Sequence, residues 1–265
     1  MSGLAIWDLG LDHLLPAAAS AHASTLDAVL RNVHLHMLVI FLLWAALLVW
    51  ALVRFRQGAN PVARQTGVRG LWPALAIGLV IIGDVVILAT QALPAWADRM
   101  SPPPPGAQLL EVHVTAEQFA WNIHYPGPDA VFGRTSNGLI TASNSLGIDR
   151  EDPAGKDDIG LMNILTLPLD RTVVIQLASR DVVHSFTLPE MRVKQDAVPG
   201  MTSRIWFTPT RIGAWDIVCS QLCGLGHYRM RGDVRVLSAE NWIRWLADEE
   251  ARLSKEPPRG TLSAR

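Results

Sequence analysis

Cys219-Ser220-Gln221-Leu222-Cys223-Gly224-Leu225-Gly226-His227-Tyr228-Arg229-Met230 contains both cysteines of the 265-residue chain, with a histidine and a methionine at spacing Cys-x3-Cys-x3-His-x2-Met. Thiolate, imidazole and thioether together form the soft ligand set that selects copper. One thiolate with imidazoles and a thioether suffices for a single copper; a second thiolate four residues on can bridge two ions. Gly224 and Gly226 allow a turn tight enough to bring His227 and Met230 back toward the sulfurs. Taken alone, the two cysteines would equally suit a disulfide outside the cytosol. Histidine and methionine at these offsets, with His184 upstream among β-like segments, favour a metal.

Around this loop the pattern is one of short, alternating stretches: residues 109–114, 119–124, 164–167, 172–178, 204–208, 214–218 and 234–237. Pro, Gly and Asp punctuate them, which argues for a β-sandwich or barrel. Ligands gathered on one loop, plus one distant histidine, point to a cupredoxin-like Greek-key sandwich over residues 108–238. His184 then stands at the end of a separate strand. Residues 134–156, rich in Ser, Asn, Gly and Asp, are expected to be a long excursion between strands. Trp242, Trp245 and Leu246 recur at helical spacing, so 239–255 is expected to be an amphipathic helix, with 256–265 as a loose tail. No Cys-x-x-Cys-His occurs, so no c-type haem is attached to this chain.

The first hundred residues differ. Residues 33–53 and 71–93 are apolar runs long enough to cross hydrocarbon. Arg54, Arg56, Arg64 and Arg69 lie between them without an acidic residue, which places that connection on the cytoplasmic side. Both termini then lie outside, in an α+β membrane protein: a two-helix transmembrane hairpin (33–100), a Pro-rich linker (101–107) and an outer-face sandwich. Residues 1–32 form an N-terminal segment. Leu14 to Ala23 resembles a signal peptide, but no basic region precedes it and Asp8 and Asp12 have the wrong sign, so an unprocessed segment is expected. His34 and His36 are expected at the interface, without a metal. Asp84, near the middle of the second run, must face protein or water, and a partner helix is the expected contact. A formal net charge of −1 and a positive mean hydropathy exclude a nucleic-acid binder.

The loop, with Val183-His184-Ser185-Phe186 and the segment Lys194 to Gly200 before it, resembles subunit II of the haem–copper cytochrome c oxidases, over roughly residues 30–246. The resemblance implies a binuclear copper centre, CuA. Cys219 and Cys223 match the bridging thiolates, His184 and His227 the terminal imidazoles, and Met230 the weak thioether. Gln221 matches the position whose backbone carbonyl is a further weak ligand. The family often has Glu there, whose carboxylate also reaches a magnesium shared with subunit I; Gln221 lacks that charge, which puts the magnesium in doubt. Gln118 to Tyr125 resembles the family's aromatic strand, with Phe119 where many relatives carry an exposed tryptophan, and Trp121 as the inner aromatic. These two are the electron-receiving candidates, although Trp121 equally suits a core position.

The implied partners are a haem–copper subunit I, other oxidase subunits, membrane lipid, and a c-type cytochrome or similar donor on the outer, periplasmic face of a bacterial inner membrane. The implied role is to accept electrons and pass them to subunit I, which reduces O2 and translocates protons. A nitric oxide reductase subunit with the same centre and a membrane-anchored copper-delivery protein are the alternatives. A quinol oxidase subunit is disfavoured because those lack the thiolates.

Overall fold

The computed structural model describes residues 15–62, 67 and 70–255. Arg64, Arg69 and the tail 256–265 lie outside them. Contacts divide the chain into two units: Ser24–Pro102, and Pro103 onward together with the residues up to Ala23.

The first unit is the hairpin. Helix α1 spans Ala23–Arg54; the return leg runs through α2 (Trp72–Ile87), a π-helical turn (Leu88–Ala92) and α3 (Leu93–Met100). Both legs are long and apolar enough to cross a membrane. Helix α1 begins well ahead of the apolar run at 33, because the polar turns bearing Asp27 and Arg31 continue the helix beyond any hydrocarbon. Residues 23–32 of the segment expected at 1–32 are therefore part of α1, and residues 1–14 lie outside the described residues. Asp84 Oδ1 lies 3.1 Å from His36 Nε2, a neighbour in its own hairpin that the sequence did not mark.

The second unit is a two-layer β-sandwich. One sheet has the order β3-β2-β1-β5-β8 and the other β4-β10-β9-β6-β7. The strands are β1 (Leu109–Glu117), β2 (Ala120–Tyr125), β3 (Ile159–Met162), β4 (Ile164–Pro168), β5 (Thr172–Ser179), β6 (His184–Leu188), β7 (Val193–Ala197), β8 (Ser203–Phe207), β9 (Gly213–Cys219) and β10 (Arg231–Leu237). Alternation along β1 buries Val112, Val114 and Ala116 completely, as a strand with one face on a core requires. Trp121, Ile123, Tyr125, Ile175, Phe186 and Phe207 fill the space between the sheets. Strands β3 and β7 were not among the stretches expected from sequence, whereas β6 is the separate strand expected to carry His184, at its start.

Helix α4 (Ala239–Lys255) has the bounds expected from its apolar spacing, with Trp242 buried and its ring 4.8 Å from Trp245. The excursion after β2 is pinned from inside. The carboxylate of fully buried Asp158 lies 2.7 Å from His124 Nε2 and accepts the Gly133 N–H at 2.9 Å. His124 is thus a structural histidine.

The segment before α1 belongs to the sandwich. Ala19 N–H donates to Glu190 O, Ala21 N–H to Thr208 O, and Thr210 N–H to Ala19 O. Ser20 Oγ donates to Met191 O at 2.7 Å. Ala19, Ser20, His22 and Ala23 are buried. This stretch, which has the look of a signal peptide in sequence, is part of the folded domain.

Candidate metal centre

Three elements build the site. Strand β9 ends at Cys219, and β10 begins one residue after Met230. The loop between them is closed at its base by Cys219 N–H to Met230 O. Strand β6 runs antiparallel to β9 with Phe186 opposite Cys219, so His184, at the start of β6, arrives level with the loop. Ser220 N–H donates to Ser185 O and fixes that level. A histidine 35 positions before Cys219 is thereby brought to the sulfurs by strand register.

The loop folds inward through a 3-10 turn at His227–Arg229, with His227 N–H on Gly224 O and Met230 N–H on His227 O. Gly224 adopts φ +134°, a conformation that side chains disfavour. A Cβ at Gly226 would strike the Phe119 ring. Phe119 thus lies directly over the loop, and Gln118 Nε2 donates to Cys223 O at 2.7 Å. The β1–β2 turn of one sheet forms the lid over the ligand loop of the other.

The donor atoms converge. Both cysteines are free thiols, their sulfurs 3.8 Å apart. A disulfide would place them at about 2.05 Å. Cys223 Sγ lies 3.6 Å from His227 Nδ1 and 3.7 Å from Met230 Sδ. His184 Nδ1 lies 3.2 Å from Met230 Sδ. The ligand atoms of His184, Cys219 and Cys223 all fall within 4.8 Å of one another. The Gln221 backbone oxygen accepts from Cys219 Sγ at 3.2 Å, while the Gln221 side chain is exposed. His184, Cys219 and Cys223 thus converge, His227, Met230 and the Gln221 carbonyl each touch a member of that group, and the soft donor set fits copper.

Water is largely excluded: His184 is fully buried, and Cys223 and Met230 are each 3% exposed. Burial, then the neighbouring Cys219 thiol, push the Cys223 thiol up to about 11. Metal uptake must displace that proton.

One participant went unnoticed in the sequence. Asp181, three residues before His184, holds His184 Nε2 at 2.9 Å and accepts the backbone N–H groups of Gln118 and Val182. Partial burial raises its carboxyl, but these hydrogen bonds outweigh that and hold it below the usual range. With Nε2 engaged, His184 presents Nδ1 to the sulfurs. The spacing Asp-x2-His was the available signal.

The two aromatic candidates separate. Trp121 is fully buried, with its ring 5.3 Å from Phe186 and 6.1 Å from His184. It has no surface on which a donor could rest. Phe119 is half-buried and keeps an outward face. The loop itself projects apolar side chains, with Leu225 98% and Tyr228 86% exposed.

Comparison with known proteins finds relatives of one family. The family "Cytochrome C oxidase subunit II, periplasmic domain" matches residues 110–236. The alternative cytochrome c oxidase subunit 2 of Bradyrhizobium diazoefficiens is 35% identical over 68% of the chain and 62% of the relative's own length. Cytochrome c oxidase subunit 2 of Cereibacter sphaeroides is 33% identical over 78% of the chain and 69% of the relative. The solved periplasmic domain of subunit II (CoxB) of Bradyrhizobium japonicum is 25% identical, with a TM-score of 0.42, over 58% of this chain and 99% of that one. With this loop closing its sandwich and that degree of identity across most of its length, the chain belongs to the cytochrome c oxidase subunit 2 family.

Proposed function

We propose that the chain is the electron-accepting subunit of a terminal respiratory oxidase, with a binuclear copper centre of the CuA type between β6 and the β9–β10 loop. The observation that carries this reading is the pair of unbonded thiols 3.8 Å apart, flanked by two imidazoles and a thioether. Cys219 and Cys223 would bridge, His184 and His227 would cap, and Met230 and the Gln221 carbonyl would be the weak ligands. When bound, such a pair of ions supplies one-electron chemistry with the charge shared between two metals.

The protein's own groups make that chemistry fast by remaining still. Asp181 fixes the His184 ring, the closed loop base fixes the two sulfurs, and burial keeps water from rearranging around them. A donor on the outer face, such as a c-type cytochrome, would approach over Phe119, and the electron would leave toward haem in subunit I. The exposed Leu225 and Tyr228 tip and the outer strand β7, with Lys194 and Asp196, supply surface for these partners. Burial of the ligands argues against ready copper release, and hence against a delivery protein.

The connectivity supports the topology. The residues before α1 and those after α3 both belong to the sandwich unit, so the hairpin leaves it and returns to it. With Arg54 and Arg56 at the turn, that turn is cytoplasmic and the sandwich periplasmic.

The test is copper content and spectrum. The full-length chain loaded with copper is expected to hold two ions and one delocalised unpaired electron. Two equivalent copper nuclei then give a seven-line hyperfine pattern in electron paramagnetic resonance. A four-line pattern in a fully loaded sample overturns the binuclear reading.

Gln221 allows a separate prediction. Its exposed amide is a far weaker ligand for a hard cation than a carboxylate would be. Gln221→Glu is expected to leave the copper spectrum unchanged, because the contact to the site is the backbone carbonyl. It should raise manganese retention in the purified complex, manganese standing in for magnesium. Wild-type retention of a tight ion that Gln221→Ala releases would show the amide to be a ligand.

A further inference from the structure

Away from the sulfur loop, the hairpin carries a second cluster of polar side chains. Asn32 and His36 lie one turn apart on α1 and face the return leg. His36 Nε2 lies 3.1 Å from Asp84 Oδ1, a close approach without hydrogen-bond alignment, and Asn32 Nδ2 donates to Gln91 Oε1 at 2.6 Å. Gly83 makes the first contact possible, since any Cβ there would strike the His36 ring. Gln91 sits in the π-helical turn, a distortion often found where a helix serves a function.

The cluster has a definite depth. His36 is 18 residues from Arg54 and Asp84 is 12 from Trp72, or about 27 and 18 Å at 1.5 Å per residue. Against a hydrocarbon core of about 30 Å, the pair lies in the half remote from the cytoplasmic turn. The Asn32–Gln91 pair continues from it toward the outer face. Other ionisable groups lie at the ends: Asp27, Arg31 and His34 on the outer part of α1, Arg54 at its inner end, and Asp98 and Arg99 on α3. Residues 37–53 and 72–97 contain no other ionisable side chain than Asp84.

A charge in hydrocarbon is costly unless balanced. His36 and Asp84 are neutral together only when they hold one proton between them, as imidazolium with carboxylate or as imidazole with carboxylic acid. Losing it strands an anion; gaining another strands a cation. The Asp84 side chain is 64% exposed, so its carboxylate remains open to water or to a polar group on a neighbouring helix.

We propose that His36 and Asp84 form a proton-binding site within the membrane anchor, connected to the outer aqueous face along Asn32 and Gln91. The proposal rests on the two-span topology argued above. It assigns the anchor a role in proton exchange that is separate from the electron chemistry of the sandwich.

The test is an infrared pH titration of the full-length chain with its partner subunits in sealed lipid vesicles, using ring-labelled histidine. Protease access to the sandwich reports orientation independently, so an error in topology is distinguished from failure of the proposal. The expected result is a carboxyl or imidazole difference signal that is lost in Asp84→Asn and in His36→Gln, since each substitution removes one member of the pair. In the wild type this signal should follow the pH on the sandwich side and ignore the other side. If one variant fails to assemble, the difference spectrum between the wild type and the other variant, each read for sidedness, decides. Absence of a sided signal, its survival in Asp84→Asn, or a response only to the cytoplasmic side overturns the proposal.

Discussion

Cys223→Ser is expected to remove the binuclear spectrum and leave at most one weakly held copper per chain, with electron transfer from an external donor reduced at least about 100-fold. The floor comes from outer-shell partners of metal ligands, whose loss alone costs roughly 10- to 100-fold; a bridging ligand should cost more. Cys223 is central: its sulfur is near Cys219, His227 and Met230 at once. Serine is close in size but offers a hard oxygen that keeps its proton. The fold should survive, because Cys223 lies in the buried cluster but serine nearly keeps its volume. Copper analysis and paramagnetic resonance read the first effect, and circular dichroism the second. A seven-line spectrum persisting in Cys223→Ser would show that this thiolate does not bridge.

Trp121→Ala should have the largest effect on stability. The side chain is fully buried, with edge-to-face contacts to Phe186 and to His184. Truncating such a residue costs about 3–5 kcal/mol. In a unit of this size that corresponds to a fall in Tm of roughly 10 °C. Because the ring is also a wall for His184, copper affinity should fall with it, whereas Phe119→Ala should slow donor reaction with a much smaller loss of Tm. Differential scanning calorimetry on the two variants separates the roles. A Trp121→Ala protein that melts with the wild type would mean the ring is not a packing element.

The parts legible from sequence were those with their own local signal. The sulfur loop carries its ligands at fixed offsets, and α4 carries its tryptophans at helical spacing. Strand β1 alternates clearly enough to be seen, and β5 is a compact β-branched run. Strands β3, β6 and β7 are short, with β6 marked only by His184, and β7 (Val193-Lys-Gln-Asp-Ala197) is an edge strand with charged residues that keep it from pairing further. Their pairing comes from neighbours distant in the chain. The same reason hid Asp84's neighbour His36 and the docking of residues 19–23, since nothing local marks a contact with residues 189–210. Asp181 was missed because an acidic residue near a strand end is ordinarily solvent-facing. The sequence also left Trp121 open between core and electron path; only its position between two sheets decides that it has no outer surface.

The docking of Ala19–Ala23 bears on how the chain is made. Ser20 bonds to Met191, 171 residues later in the chain. At roughly 5–20 residues per second of synthesis, the early segment waits about 10–30 s before its acceptor groups exist. Throughout that interval it lacks the partners it has in the folded sandwich. Its composition suits the delay: Ala17, Ala18, Ala19, Ala21 and Ala23 offer little apolar surface to draw another chain. Closure of this early-made stretch onto residues made 171 or more positions later would then be a late step in forming the sandwich.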